Sequence, residues 1–195
     1  MGKSFVRIAI DSSIINWKAS QGLDPSIQSN NEKRKEYEAI LRLFKLQDQG
    51  QLILVALDQD DKELRRISDE SKRANRLEIL SLCKEKFYLT RFETQSVSKR
   101  AEKSTGKCGI NLGEGAYWIT KDNERRISQY IATGRDLEEK VDLEVLATAA
   151  IAGVRYFVTV DDGLLANEAV KRFASEQDGI GIYRPTEMLR VLGVD

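Results

Sequence analysis

The chain has 195 residues, the size of one domain or of one domain carrying an elaboration. Hydrophobic residues make up 41%, enough for a sizeable core, while Lys+Arg and Asp+Glu both total 31, so no global basic field announces a nucleic-acid partner. Histidine is absent, which excludes the Ser-His-Asp triad, His general bases and every His-containing zinc site. Two cysteines, Cys83 and Cys108, cannot build a four-Cys metal site or a disulfide framework and read as ordinary thiols of a reduced cytoplasm. No apolar stretch before Asp11 is long enough for a signal peptide, and no apolar run approaches the roughly 18–20 residues of a membrane span, so no membrane association is expected.

In chain order, the short apolar run from Phe5 to Ile10 predicts a strand, and Ser12 to Lys18 a short helix. Gly22 to Asn31 is a loop by composition, with Asn31 placed to cap a helix whose apolar residues Tyr37, Ile40, Leu41, Phe44 and Leu46 fall near the 3.6 period. Gly50 ends that helix, and QLILVAL, Gln51 to Leu57, is a buried strand. From Asp60 to Phe87 the pattern is helical, as one helix or two, with Leu64, Ile67, Ile79, Leu80 and Cys83 facing inward. Phe87 to Phe92 predicts a further strand. Residues 95–114 lack apolar periodicity and read as a loop, followed by a hairpin of Gly115–Thr120 and Arg125–Ala132; together they form an insertion at about 95–132.

The last third is the clearest. A capping-box outline at Asp136–Glu139 opens a helix through about Ala152, Gly153 closes it, and Tyr156 to Val160 is a buried strand. A helix over Leu164 to Glu176, a strand over Ile180 to Tyr183 and a final helix with Pro185 at its first position complete the chain. Strands alternating with helices predict one α/β domain over residues 1–195, a mostly parallel central sheet with helices on both faces.

In such sheets ligands bind beyond the carboxyl ends of the strands. Three predicted strands end on an acid, at Asp11, Asp58 and Asp161, so a parallel arrangement gathers these acids at one edge, although an Asp after a strand is also a common helix cap. Asp142 shares a helix stripe with Leu146, Ala149, Ala150 and Gly153, which sets a carboxylate on an apolar face. Carboxylates without His or thiolate partners select Mg²⁺ or Mn²⁺, the cations that activate water for phosphodiester cleavage. Phosphate-binding glycine loops are missing: Gly106-Lys107 lacks the Gly of a P-loop, and Gly179-Ile-Gly181 precedes a strand.

This order of motifs resembles the PIN domain, a family of metal-dependent nucleases. The resemblance is carried by IAIDSSIINW at Asp11, Ser12 and Ser13, QLILVALDQDDKEL at Glu63, VDLEVLATAA at Asp142, VTVDDGLL at Thr159 and Asp161, and the closing GIGIYRPTEML. Ser13 stands where the family often has Asn, and the spacing from Glu63 to Asp142 exceeds that of compact members. The resemblance implies a three-layer PIN-like fold and a Mg²⁺- or Mn²⁺-dependent endoribonuclease. It makes Asp11, Glu63, Asp142 and Asp161 both catalytic and metal-holding, with Ser12, Thr159 and Asp162 in support. Asp58, Asp60 and Asp61 remain alternatives for the second acid, or caps. A structure-specific DNA nuclease and a non-catalytic module binding RNA or protein are the competing readings.

Charge distribution fits a nucleic-acid partner. From Lys72 to Lys107 there are ten Lys/Arg against four Asp/Glu, and from Gly134 to Glu168 three against eight. Lys99, Arg100, Lys103 and Lys107 are candidate contacts to single-stranded or structured RNA. The apolar Tyr117, Trp118 and Ile119 make a homodimer contact the alternative use of the same segment. An antitoxin-like protein is the further partner that the family resemblance brings into view.

Overall fold

The computed structural model describes residues 5–90, 116–118, 121–133 and 140–194, which form six strands and the helices around them. The strands are β1 (Val6–Ile10), β2 (Leu52–Leu57), β3 (Glu85–Thr90), β4 (Ala116–Trp118), β5 (Tyr156–Val158) and β6 (Gly181–Tyr183). Their order across the sheet is β4-β3-β2-β1-β5-β6, and every neighbouring pair is parallel. The helices are α1 (Ser12–Ala19), α2 (Pro25–Gln28), α3 (Asn31–Asp48), α4 (Asp58–Arg65), α5 (Glu70–Ser81), α6 (Lys121–Thr133), α7 (Lys140–Ile151), α8 (Asp162–Ala166), α9 (Glu168–Asp178) and α10 (Pro185–Leu192).

Period-two alternation in the strands assigns the two faces. Ile8 and Ile10 of β1, with Leu52, Leu54 and Ala56 of β2, pack among Ile14 and Ile15 of α1, Ile40, Leu43 and Phe44 of α3, Leu80 of α5 and Met188 of α10. Ala9, Val55 and Leu57 point the other way, with Phe157, toward Ile127 and Tyr130 of α6, Leu143 and Leu146 of α7 and Val170 of α9. The result is the expected three-layer α/β arrangement. Arg7 is the polar exception in β1. Its guanidinium pairs with the Glu85 carboxylate at the start of β3 and donates to the Ala152 carbonyl at 3.1 Å.

Several expectations are corrected at the level of helix ends. Asn30, not Asn31, caps α3, accepting from the N–H groups of Glu32 and Lys33 at 2.9 and 3.2 Å. Of the two arrangements open for the stretch after β2, the structure has two helices, because Asp69 turns back to accept the Lys72 N–H at 3.0 Å and starts α5 afresh. Asn167 divides α8 from α9 in the same way, accepting from Val170.

The larger correction concerns the expected hairpin. β4 pairs in parallel with β3, and residues 125–132 lie within α6 rather than in a returning strand. Ile127 and Tyr130 are three residues apart and both buried, with Ile131 packed beside them, so the apolar spacing is helical where an alternating pattern was expected. Tyr130 is fully buried, sets its ring edge-on to Phe173, and donates its hydroxyl to Asp178 at 2.8 Å. Residues 95–114, the expected loop, lie outside the described residues. Among the described residues no helix is long and apolar enough to cross a membrane.

Because α6 holds the layer covering α7, its anchor should matter for stability. Tyr130→Ala is expected to cost about 3–5 kcal/mol, and Tyr130→Phe, which removes only the bond to the Asp178 carboxylate, about 1.5–3 kcal/mol. Urea unfolding followed by far-UV circular dichroism measures both; equal losses would show that the hydroxyl, not the ring, anchors the helix.

Candidate active site

The chain builds β1 to β4 outward in one direction and then returns to place β5 on the other side of β1. Strand order therefore reverses between β1 and β5, and the crevice at their carboxyl ends is where this architecture binds ligands. Asp11 follows β1, and Asp161 lies just past β5. The Asp11 N–H continues the pairing by donating to the Val158 carbonyl at 3.1 Å, so the backbone of both chain segments is fixed to the sheet.

Asp11 stands at the N-cap position of α1, yet its side chain makes no capping bond. Only 5% exposed, its carboxylate accepts on Oδ2 from the Ser13 hydroxyl at 2.7 Å and the Thr159 hydroxyl at 2.6 Å. Thr159 is fully buried and held by its own N–H on the Tyr183 carbonyl at 3.1 Å. Its Oγ1 also accepts the Asp161 N–H at 3.0 Å, and Ser13 Oγ accepts from Val160 at 3.3 Å. Two hydroxyls thus tie the end of β1 to the end of β5 and aim one carboxylate. Of the two serines after Asp11, Ser13 makes the side-chain contact; Ser12 is buried at the start of α1. The sequence reading had given the supporting role to Ser12.

Asp161 does cap: its Oδ1 accepts the Leu164 N–H at 2.6 Å. A side chain at Gly163 would bring its Cβ to 3.1 Å from that same oxygen, so the glycine keeps the turn open. Asp162, one residue on, is exposed and accepts from Arg184 Nη2 at 2.5 Å. The structure directs it away from Asp11, toward α10.

At the end of β2 the four acids of DQDDKE separate. Asp61 pairs with Arg65 on the surface at 2.6 Å, and Glu63 is exposed. Asp60 is completely buried. Its Oδ2 accepts the Leu57 N–H at 3.0 Å, so Asp60 ties down the first turn of α4. Its Oδ1 is buried with no hydrogen-bond partner, the one such side-chain atom among the described residues. Burial first, and then the charge of Asp11, hold the Asp60 carboxyl well above the usual carboxylate range; Glu63 adds to this, while the N–H groups of Leu57 and Ser12 oppose it. Burial, helped by the charge of Asp60, also pushes the Cys83 thiol up to about 12, which keeps it an inert thiol.

Asp142 enters through its place in the first turns of α7, a helix packed against both α4 and β2. Its stripe-mates Leu146 and Ala149 are fully buried, while its own side chain, like that of Asp58, lies outside the described residues. Lys99, Arg100, Lys103 and Lys107 also lie outside them. Among the described residues no three acids, Cys or His form a metal-holding group. Asp11 and Asp60 nevertheless have the character of a hard-cation site: two buried carboxylates, adjacent enough to act on one another, one with an unanswered oxygen. A polar cleft of about 500 Å³ opens between α3 and α10, walled by Trp17, Lys33, Glu36, Asp162, Arg184 and Arg190; neither Asp11 nor Asp60 lines it. Trp17 both packs on the core and lines this cleft.

No protein-family model matches this chain, and no curated protein matches it. Among solved structures the chain is similar to the crystal structure of FitAcB from Neisseria gonorrhoeae, at 16% identity and a TM-score of 0.44, covering 92% of this chain and 98% of that one. A similarity of that strength identifies neither family nor activity.

Two outcomes are expected from this geometry. Thr159→Val removes a donor from a buried carboxylate and should cost about 1.5–3 kcal/mol in urea unfolding, whereas Thr159→Ser, which keeps the hydroxyl, should avoid most of that loss. The second concerns pH. Asp60 holds its proton more tightly folded than unfolded, so the stability it contributes is complete below the unfolded value near 3.8 and is lost as pH rises through the raised folded value. In chelator, the wild type should therefore lose stability relative to Asp60→Asn from about pH 4 upward, and parallel stability curves for the two proteins would overturn the assignment.

Proposed function

We propose that this protein is a PIN-like, divalent-cation-dependent nuclease that cuts RNA. The observation that carries the reading is the burial of Asp11 and Asp60 after the neighbouring strands β1 and β2, near enough for the charge of one to act on the other, with an Asp60 oxygen left unanswered. Two carboxylates in that setting repel, and unpaired buried charge costs several kcal/mol unless a cation or a proton relieves it. Asp11, Asp142, Asp161 and an acid of α4 would hold Mg²⁺ or Mn²⁺. When bound, such a cation makes water nucleophilic at neutral pH and stabilises charge on the leaving oxygen.

The chain's own residues have distinct parts in this reading. Ser13 and Thr159 orient the Asp11 carboxylate and occupy one of its oxygens, leaving Oδ1 for the cation. Gly163 keeps the turn beside Asp161 free of a side chain. The neighbouring cleft offers Lys33, Arg184 and Arg190 to phosphates and the Trp17 ring to a base. Lys99, Arg100, Lys103 and Lys107 are further candidate contacts to the phosphates of the substrate. The sequence resemblance favours RNA over DNA and an antitoxin-like protein as a partner in the cytoplasm.

Cleavage of labelled single-stranded RNA and DNA in Mn²⁺, with a chelator control, tests the proposal. RNA should be cut, DNA spared, and chelator should stop the reaction. Asp142→Asn should lower the rate at least about 100-fold, as expected when one transition-state electrostatic contact is removed, while leaving the chain folded. Full activity in that variant, or no Mn²⁺-dependent cleavage by the wild type, would overturn the reading. Cleavage of structured DNA alone would transfer the activity to the DNA nuclease alternative.

A further inference from the structure

We infer that Asp60, not Glu63, is the α4 carboxylate that holds the divalent cation together with Asp11. This rests on the metal-dependent reading proposed above and departs from the family pattern, which points to Glu63. The phase of α4 separates the two acids. Asp60 and Leu64 lie one turn apart on its inner face, 0% and 1% exposed, whereas Glu63 projects from the solvent side.

Capping cannot account for Asp60. The helix start uses Oδ2 alone, and a neutral acceptor would serve that N–H without placing a carboxylate in the interior. Oδ1 is buried with no hydrogen-bond partner, in a chain whose other buried side-chain polar atoms among the described residues are answered. Arg65, the guanidinium of the same helix, is turned to the surface, where Asp61 engages it. The acid whose charge acts most strongly on Asp60 is Asp11, at the end of the neighbouring strand, ahead of Glu63 on its own helix. A buried oxygen with no hydrogen-bond partner, on a carboxylate that feels the charge of a second buried one, is answered by a hard cation shared between them.

Mn²⁺ titration of the full-length chain, read by electron paramagnetic resonance and by melting temperature, tests this without an activity assay. The wild type should bind Mn²⁺ and melt at a higher temperature when loaded. Asp60→Asn should weaken the affinity at least about 10-fold and abolish the Mn²⁺-dependent rise, while its metal-free melting temperature equals or exceeds that of the wild type. Asp60→Ser, which keeps an acceptor for the Leu57 N–H, should lose the metal in the same way and guards against a folding defect in the first variant. Glu63→Gln should stay within about 3-fold of wild-type affinity, a difference below 1 kcal/mol. If the Asp60 variants bind Mn²⁺ normally and Glu63→Gln does not, the assignment is wrong and the metal-dependent reading survives. If the wild type binds no Mn²⁺, both fall together.

Discussion

A carboxylate buried at the reversal of strand order is the constraint around which the carboxyl edge is organised. Asp11 is 5% exposed, and an ionised carboxylate in that position carries a desolvation cost of several kcal/mol. Charge-assisted hydrogen bonds return about 1.5–3 kcal/mol each. Both that reach its side chain come from hydroxyls, Ser13 on its own segment and Thr159 on the strand beside it. Thr159 must then be buried and fixed, which the bond to the Tyr183 carbonyl achieves, and Val160 and Asp161 follow in a course set by Ser13 and Thr159. The placement of Asp161 is thus a consequence of how Asp11 is held.

Adjacent acids meet opposite fates at this edge because local helix starts decide them. Asp161 precedes α8 and gives one oxygen to its cap, whereas Asp162 lies past that turn and reaches Arg184 in solvent. Arg184 precedes α10, whose first turn is secured by Glu187 on the Arg184 N–H and by buried Glu36 of α3 on the N–H and hydroxyl of Thr186. The cleft wall is therefore built from the same contacts that seat α3 and α10 on the sheet. This polar surface is compatible with a folded core because its buried acid, Glu36, is answered by Thr186, and Asp162 is answered by Arg184.

The alternation of strands and helices was legible in the chain because parallel strands buried on both faces read as continuous apolar runs, as LILVAL does. So was the convergence of Asp11 and Asp161, since parallel strands that each end in an acid leave those acids at one edge. The second acid was not legible. DQDDKE places four acids within six residues, and only the phase of α4, started at Leu57, sends Asp60 inward and Asp61 and Glu63 outward. Leu64, four residues beyond Asp60, was the available signal: an apolar residue one turn on marks the inner stripe. The α6 segment misled for a related reason. RISQYIA is rich enough in β-branched and aromatic residues to suggest a strand, but the Ile127–Tyr130–Ile131 spacing selects a helix once a layer exists to receive it.

Rigidity gives the paired carboxylates their chemical consequence. Repelling acids on flexible segments separate, and the repulsion fades into solvent. Here Asp11 is locked by its N–H on Val158 and by two hydroxyls, and Asp60 is held by the Leu57 N–H within a helix pinned through Leu64. Neither can move away without breaking the strand end or the helix start. Relief must come from a positive charge brought to them, either a proton taken up by Asp60 or a cation between the two. These would compete for the same oxygen, so local proton uptake and folding stability are linked at this edge, and the affinity of the proposed cation would be linked to both.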